Sequence, residues 1–239
     1  MPGCRYSRPT RCVIIKKKKS LPMLTNIYLL TLLLCFICSL ISFRLHYPFH
    51  LKLFSLLMGA AVLSEFFAYY GPKIWGYKNN LPVYNIYHLF EFCGVAYFYR
   101  FIIHNIKIKT AIDIFLIAYT LYWAVNVFII HNIGDWNSNI EVVGGVFTVF
   151  LAATYCYRLF VSDELVHFRT SSEFWISVAT IIYYSTMLPI TGMFYYLTAH
   201  FTTLALHLTD YLKVANILMY SLIIYAYLCR VRMKKKLSP

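Results

Sequence analysis

Three ionisable side chains, Glu65, His88 and Glu91, fall inside segments that are otherwise apolar enough to cross a lipid bilayer. A charged group in hydrocarbon costs about 2.5–3.5 kcal/mol even on insertion scales, so each needs a partner or a task. His88 and Glu91 are three residues apart, which puts them on one face of a helix with Tyr84 and Tyr87 close by. Such a set can relay protons, bind a cation or hydrogen-bond a polar ligand. Asn126, Glu141, His207, Asp210, Lys213 and Asn216 bring further polar groups to the same ends of other apolar segments. The binding or proton-relay candidates are Glu65, Tyr84, His88, Glu91, Asn126, Asp210 and Lys213. The plainer reading of the same residues is structural: His88 and Glu91 bond each other and a neighbouring helix, and Asp210 pairs with Lys213 at the interface. A metal set of Glu65, His88, Glu91 and His207 matches no zinc-binding spacing, and neither a metal nor another cofactor is assigned.

The elements that must hold these residues are membrane helices. About 20 apolar residues are needed to cross the hydrocarbon core, and seven segments meet that length: 24–43, 51–70, 83–103, 111–130, 142–161, 174–197 and 211–229. Their connections are short and carry turn-forming residues, as in Gly71-Pro72, Asn79-Asn80 and Gly134-Asp135. The expected fold is all-α, a polytopic transmembrane bundle of about seven spans. Asp210, Lys213 and Asn216 interrupt the start of the last one. Glu65 lies five residues before the end of the second span, and His88 and Glu91 lie five and eight residues into the third. In antiparallel neighbours all three then sit at one level, roughly 8–12 Å below one interface. Small residues recur every four positions at Ala60, Ser64 and Ala68, and at Gly144, Thr148 and Ala152, which lets helices approach closely. Pro189 inside the sixth span, followed by Gly192, predicts a kink.

Composition agrees with this reading. Of 239 residues, 60% are hydrophobic and 13% charged, against about 25% charged in soluble domains. Cys35 and Cys38 form a CxxC, but within an apolar run and without a second pair, so they read as packing residues. The formal charge of +13 is concentrated at the two ends of the chain, which argues for topology or anionic-lipid contact and against nucleic-acid binding. Arg44, Lys52, Arg100, Lys107, Lys109, Arg158, Arg169 and five basic residues of the tail lie on one side; Lys73, Lys78 and Lys213 lie on the other. The C-terminus is therefore expected in the cytoplasm and the N-terminus of the first span outside. The seven basic residues before Pro22 contradict that arrangement, a conflict that a start at Met23 removes. Genuine cytoplasmic placement of the leader on a six-span protein is the alternative. The domain reading is a basic leader over 1–22, a single membrane domain over 23–230 and a basic cytoplasmic tail over 231–239. The implied partners are the lipid bilayer and, at the tail, anionic lipid.

The segment from Asn80 to Glu91, NLPVYNIYHLFE, resembles a signature of uncharacterised seven-span membrane proteins common in Bacteroidetes. The segment from Glu173 to Ser185, EFWISVATIIYYS, is similar to the opening of their sixth span. The resemblance covers about 23–236, implies a bacterial inner-membrane location, and is to a family that has no long basic leader. By analogy with membrane-embedded input domains of bacterial sensors it suggests signal reception, with output through a separate partner protein. Three functions follow as expectations. The first is a sensory or accessory module that binds a small ligand or lipid in an outward-facing polar cavity. The second is a proton- or cation-coupled transporter or channel, although transporters ordinarily show repeats or paired broken helices. The third is an intramembrane metal-dependent hydrolase using Ser64, which the seven-residue separation of His200 and His207 disfavours.

Overall fold

Three helices of this chain start where a side chain accepts from otherwise unpaired backbone amides. The Asn105 side chain accepts from the amides of Lys107 and Ile108, and Ser171 Oγ accepts from Phe174 N. Asn79 Oδ1 accepts from Leu81 N, and Pro82 occupies the first turn of the helix that follows. The computed structural model describes residues 22–45, 47–74, 76, 79–161 and 170–237, and among them are helices and connections but no strand. In order these are α1 (Pro22–Ser39), α2 (Ile41–Arg44), α3 (Phe49–Ile74), α4 (Leu81–Ile102), α5 (Ile106–Val125), α6 (Ser138–Val161), α7 (Ser172–His200) and α8 (Thr202–Leu237). A π-helical turn, Asn126–Ile130, prolongs α5. The basic leader before Pro22, Arg169 and the basic side chains beyond Val231 lie outside the described residues.

Six helices among the described residues are long and apolar enough to cross a membrane: Met23–Arg44, Phe49–Pro72, Ile106–Ile130, Ser138–Val161, Ser172–Phe194 and Thr203–Val231. That is one fewer than the seven spans expected. The exception is α4, the expected span 83–103, whose 22 residues have the length but not the apolar character. Asn85, His88, Glu91 and Arg100 lie within it. Apolar side chains cover the outside of the bundle. On α5, Ile114, Ile117, Leu121 and Phe128 are 63–70% exposed and share one face, an arrangement suited to lipid.

Contacts between neighbours set their directions. Glu65 meets Tyr84, Phe54 meets Phe98 and Phe49 meets Phe101, so α3 and α4 run antiparallel along their whole length. His88–Glu141 and the approach of Gly144 to Phe92 place α6 parallel to α4. Trp136–Phe194 and Phe160–Phe174 make α6 and α7 antiparallel, and Trp175–Tyr225 with Ser172–Ala226 does the same at one end of α7 and α8. Tyr28–Tyr220 and Tyr47–Tyr227 set α8 parallel to the first helix. The packed pairs α1–α3, α3–α4, α4–α6, α6–α7, α7–α8 and α8–α1 close a ring, with α5 outside it against α4.

Two local readings change. The last helix was expected over 211–229, but α8 begins at Thr202 and passes through the polar triplet without a break. Its polar side chains bond along the helix itself: Lys213 Nζ donates to Asp210 at 3.0 Å and Asn216 Nδ2 donates to the Leu212 carbonyl. Helix α7 likewise extends beyond the expected 174–197, from Ser172 to His200, with Pro189 inside it. Gly192 faces Val142 with ordinary contact distance left for a Cβ, so close packing does not require a glycine there.

Close approach does require one at Gly144. A Cβ there would lie 2.4 Å from the base of the Phe92 ring, which is fully buried and adjoins Tyr119 and Tyr184. At Gly94 the corresponding clash is with the end of the Leu57 side chain, which can rotate away. Gly144→Ala is expected to cost about 1–3 kcal/mol through overpacking. Gly94→Ala is expected to cost less, and thermal unfolding of the two variants in detergent micelles checks the order.

Candidate functional site

At the end of the ring that holds the start of α4 and α6, three helices bring acidic groups inward. His88 Nδ1 lies 3.1 Å from Glu91 Oε2 on the same helix, and His88 Nε2 lies 2.7 Å from Glu141 Oε1 on α6. Tyr184 of α7 donates its hydroxyl to Glu91 Oε1 at 2.8 Å. The imidazole is thus held between two carboxylates, and its ring stacks on Phe92 at 5.9 Å. A hydrogen bond at each ring nitrogen requires two protons shared by three groups. Either the imidazole is cationic between two carboxylates, or it is neutral beside one carboxylic acid. Both arrangements leave a net charge of −1 on the triad. Glu65 forms a second acidic point, accepting from Tyr28 at 2.7 Å and from Tyr84 at 3.4 Å.

These groups share a cavity of about 320 Å³. Tyr28 of α1 and Ser64 and Glu65 of α3 form one wall; Tyr84, Tyr87, His88 and Glu91 of α4 form the next. Glu141 and Trp136 enter from α6 and the turn before it, Tyr183, Met187, Thr191 and Phe194 from α7, and Thr209, Leu212, Asn216 and Tyr220 from α8. Every helix of the ring contributes, and α5 does not. Among the described residues, three carboxylates and no Lys or Arg line the space. Loop 131–137 is anchored over one edge: Asn85 Nδ2 donates to the carbonyls of Ile133 and Asp135, and Trp123 Nε1 donates to the Asn85 carbonyl at 2.7 Å. One carboxylate oxygen is left over. Glu141 is 8% exposed, and its Oε2 has no hydrogen-bond partner.

The arrangement gives no metal centre. Each ring nitrogen of His88 is turned to a different carboxylate. Among the described residues no group of three or more His, Cys, Asp or Glu is placed to hold an ion. Cys35 and Cys38 are unbridged.

Of the residues singled out in the sequence, Glu65, Tyr84, His88 and Glu91 come together in the cavity wall. Asn126 does not; it is buried at the start of the π-helical turn and donates to the Tyr122 carbonyl. Asp210 and Lys213 are occupied with each other, while Thr209, Leu212 and Asn216 on the same helix face the cavity. Pro189 and Gly192 do not line it, although Met187 and Thr191 beside them do. Sequence reasoning passed over Tyr28 and Tyr184, which look like ordinary aromatic packing until their hydroxyls are placed. It also missed a second polar cluster at the opposite end of the bundle. There Glu173 Oε1 accepts from Arg230 Nη1 at 2.8 Å and lies 2.8 Å from His50 Nε2, and its Oε2 accepts from Ser171. Arg230 also lies over the Tyr47 ring. His50 and Arg230 stand near span ends, where basic residues read as topology markers.

No family model, curated protein or solved structure matches this chain. Fold and site together describe a multi-pass helical bundle with six helices suited to a membrane and an acidic, aromatic-walled cavity at one end.

Removing one partner of a buried pair strands the other. His88→Ala is expected to destabilise the protein by about 3–5 kcal/mol by leaving Glu91 and Glu141 without their shared partner. Adding Glu141→Gln to His88→Ala is expected to recover part of the loss, because an amide is neutral. A double-mutant cycle of chemical unfolding in micelles reads the coupling directly.

Proposed function

We propose that this protein is a seven-span membrane receptor or accessory module, whose cavity takes up a small ligand from the extracytoplasmic side and whose occupancy is passed to a separate partner protein. The observation that carries the reading is a cavity that ends inside the bundle. Beyond it the ring is filled by Leu51, Phe54, Phe98, Tyr99, Ile223 and Tyr227, each at most 3% exposed. A transporter needs a second route across that packed half. A receptor needs only a closed site whose contents alter how the ring helices pack.

The seventh span of this proposal is α4. With α4 crossing, the first and last spans point the same way, which agrees with the parallel α1 and α8. Six crossings would oppose them. Its 22 residues reach about 33 Å at the usual rise, and its polar groups turn to neighbouring helices or to the cavity. The cavity shares its end of the bundle with few basic residues, whereas Arg44, Lys52, Arg100, Lys107, Lys109 and Arg158 lie toward the other end. That distribution supports an outward-facing cavity and a cytoplasmic end of α8 in a plasma-membrane protein.

Two measurements test the proposal. Single cysteines at Asn79 and His104, introduced in a chain otherwise without cysteine, are expected to react with an impermeant thiol reagent from opposite sides of the membrane. Reaction from the same side rules out the α4 crossing. Native mass spectrometry of protein released from membranes is expected to find a bound small molecule that is lost in Ser64→Phe, a substitution that fills the cavity. Sustained uptake of solute by proteoliposomes that Ser64→Phe abolishes would instead identify a transporter.

A further inference from the structure

We propose that the ligand of this cavity is a small organic cation with an N–H donor, an amine or amidine carried on an apolar body, held through Glu141. The inference rests on the ligand-cavity reading above and gives that ligand a chemistry. Three observations lead to it. The first is electrical. Among the described residues the cavity wall holds Glu65, Glu91 and Glu141 with a single histidine and no lysine or arginine, so an anion entering it meets net repulsion and a cation net attraction.

The second is the unused acceptor. Glu91 spends its two oxygens on Tyr184 and His88, and Glu65 spends its two on Tyr28 and Tyr84. Glu141 spends Oε1 on His88, but Oε2 is buried without a partner. A buried carboxylate oxygen left unpaired is costly, by about 1–3 kcal/mol or more for a charged group. That oxygen is closed to water, so a turn of the Glu141 side chain, which lines the cavity, would bring it against a ligand N–H and remove the cost in the bound state only. The third is the surrounding wall, in which Tyr84, Tyr87, Trp136, Tyr183 and Tyr220 present aromatic surface around the acidic groups. Aromatic faces attract cations and pack against apolar ligand bodies. A volume of about 320 Å³ suits a ligand of modest size.

The test uses the full chain in lipid nanodiscs, empty nanodiscs as the blank, and three probes of similar shape that differ in charge: phenethylamine, phenethyl alcohol and phenylpropionate. Isothermal titration is expected to give the amine an affinity at least roughly tenfold above the alcohol, with phenylpropionate weakest, the size of effect a charge-assisted hydrogen bond supplies. Glu141→Gln is expected to bring the affinity for the amine down to about that for the alcohol. Equal affinities for all three probes in the unaltered protein overturn the cation assignment without recourse to any variant. If Ser64→Phe abolishes that indiscriminate binding, the cavity still takes a ligand and only the assigned chemistry fails. If Ser64→Phe leaves binding of every probe untouched, both readings fail. An amine preference that persists in Glu141→Gln overturns the role of Glu141.

Discussion

A carboxylate away from water must be matched by a donor, and much of this bundle's interior follows from that requirement. Glu65, Glu91 and Glu141 come from three different helices and meet at one level. Five hydrogen-bonding contacts hold them, with Tyr28, Tyr84, Tyr184 and both nitrogens of His88. Each contact except that between His88 and Glu91 links two helices. The acidic groups therefore fix the rotation of α1, α3, α4, α6 and α7 about their own axes, which apolar packing alone does weakly in lipid.

The same requirement divides the bundle lengthwise. One end encloses the cavity. The middle is filled by large buried side chains such as Phe98, Tyr99 and Tyr227, with the hydroxyls of Ser42, Ser55 and Tyr227 bonded to one another and to the Leu51 carbonyl. The other end is pinned by Glu173, His50 and Arg230. Its charges are balanced by partners, whereas the cavity end has an acceptor to spare.

Much of the fold could be read from residues alone, because apolar runs of membrane length are the strongest signal a sequence carries. At α4, the seventh expected span, the length is present but the apolar character is weaker than in the other six. The polar side chains responsible, Asn85, His88 and Glu91, are those that turn inward. Expected element ends were less secure. Asp210 and Lys213 looked like an interruption, yet an i, i+3 pair is compatible with a helix running through it. At the site, the shared level of Glu65, His88 and Glu91 was legible from helix rise. The contribution of Glu141 was visible only as one polar residue among several, since its contact with His88 depends on α6 lying parallel to α4. Tyr28 and Tyr184 carried no signal, because a chain with 22 tyrosines does not mark which hydroxyls meet a carboxylate.

The central claim is that a bridged histidine leaves one buried carboxylate oxygen unpaired, and that a cation in the cavity becomes its partner. Cryo-electron microscopy of the protein in lipid nanodiscs with saturating phenethylamine tests it most directly. The account predicts His88 still between Glu91 and Glu141, with the amine nitrogen within hydrogen-bond distance of Glu141 Oε2 and its ring against the tyrosine wall. An amine bound elsewhere, or His88 turned away from Glu141 with the cavity closed, would contradict it.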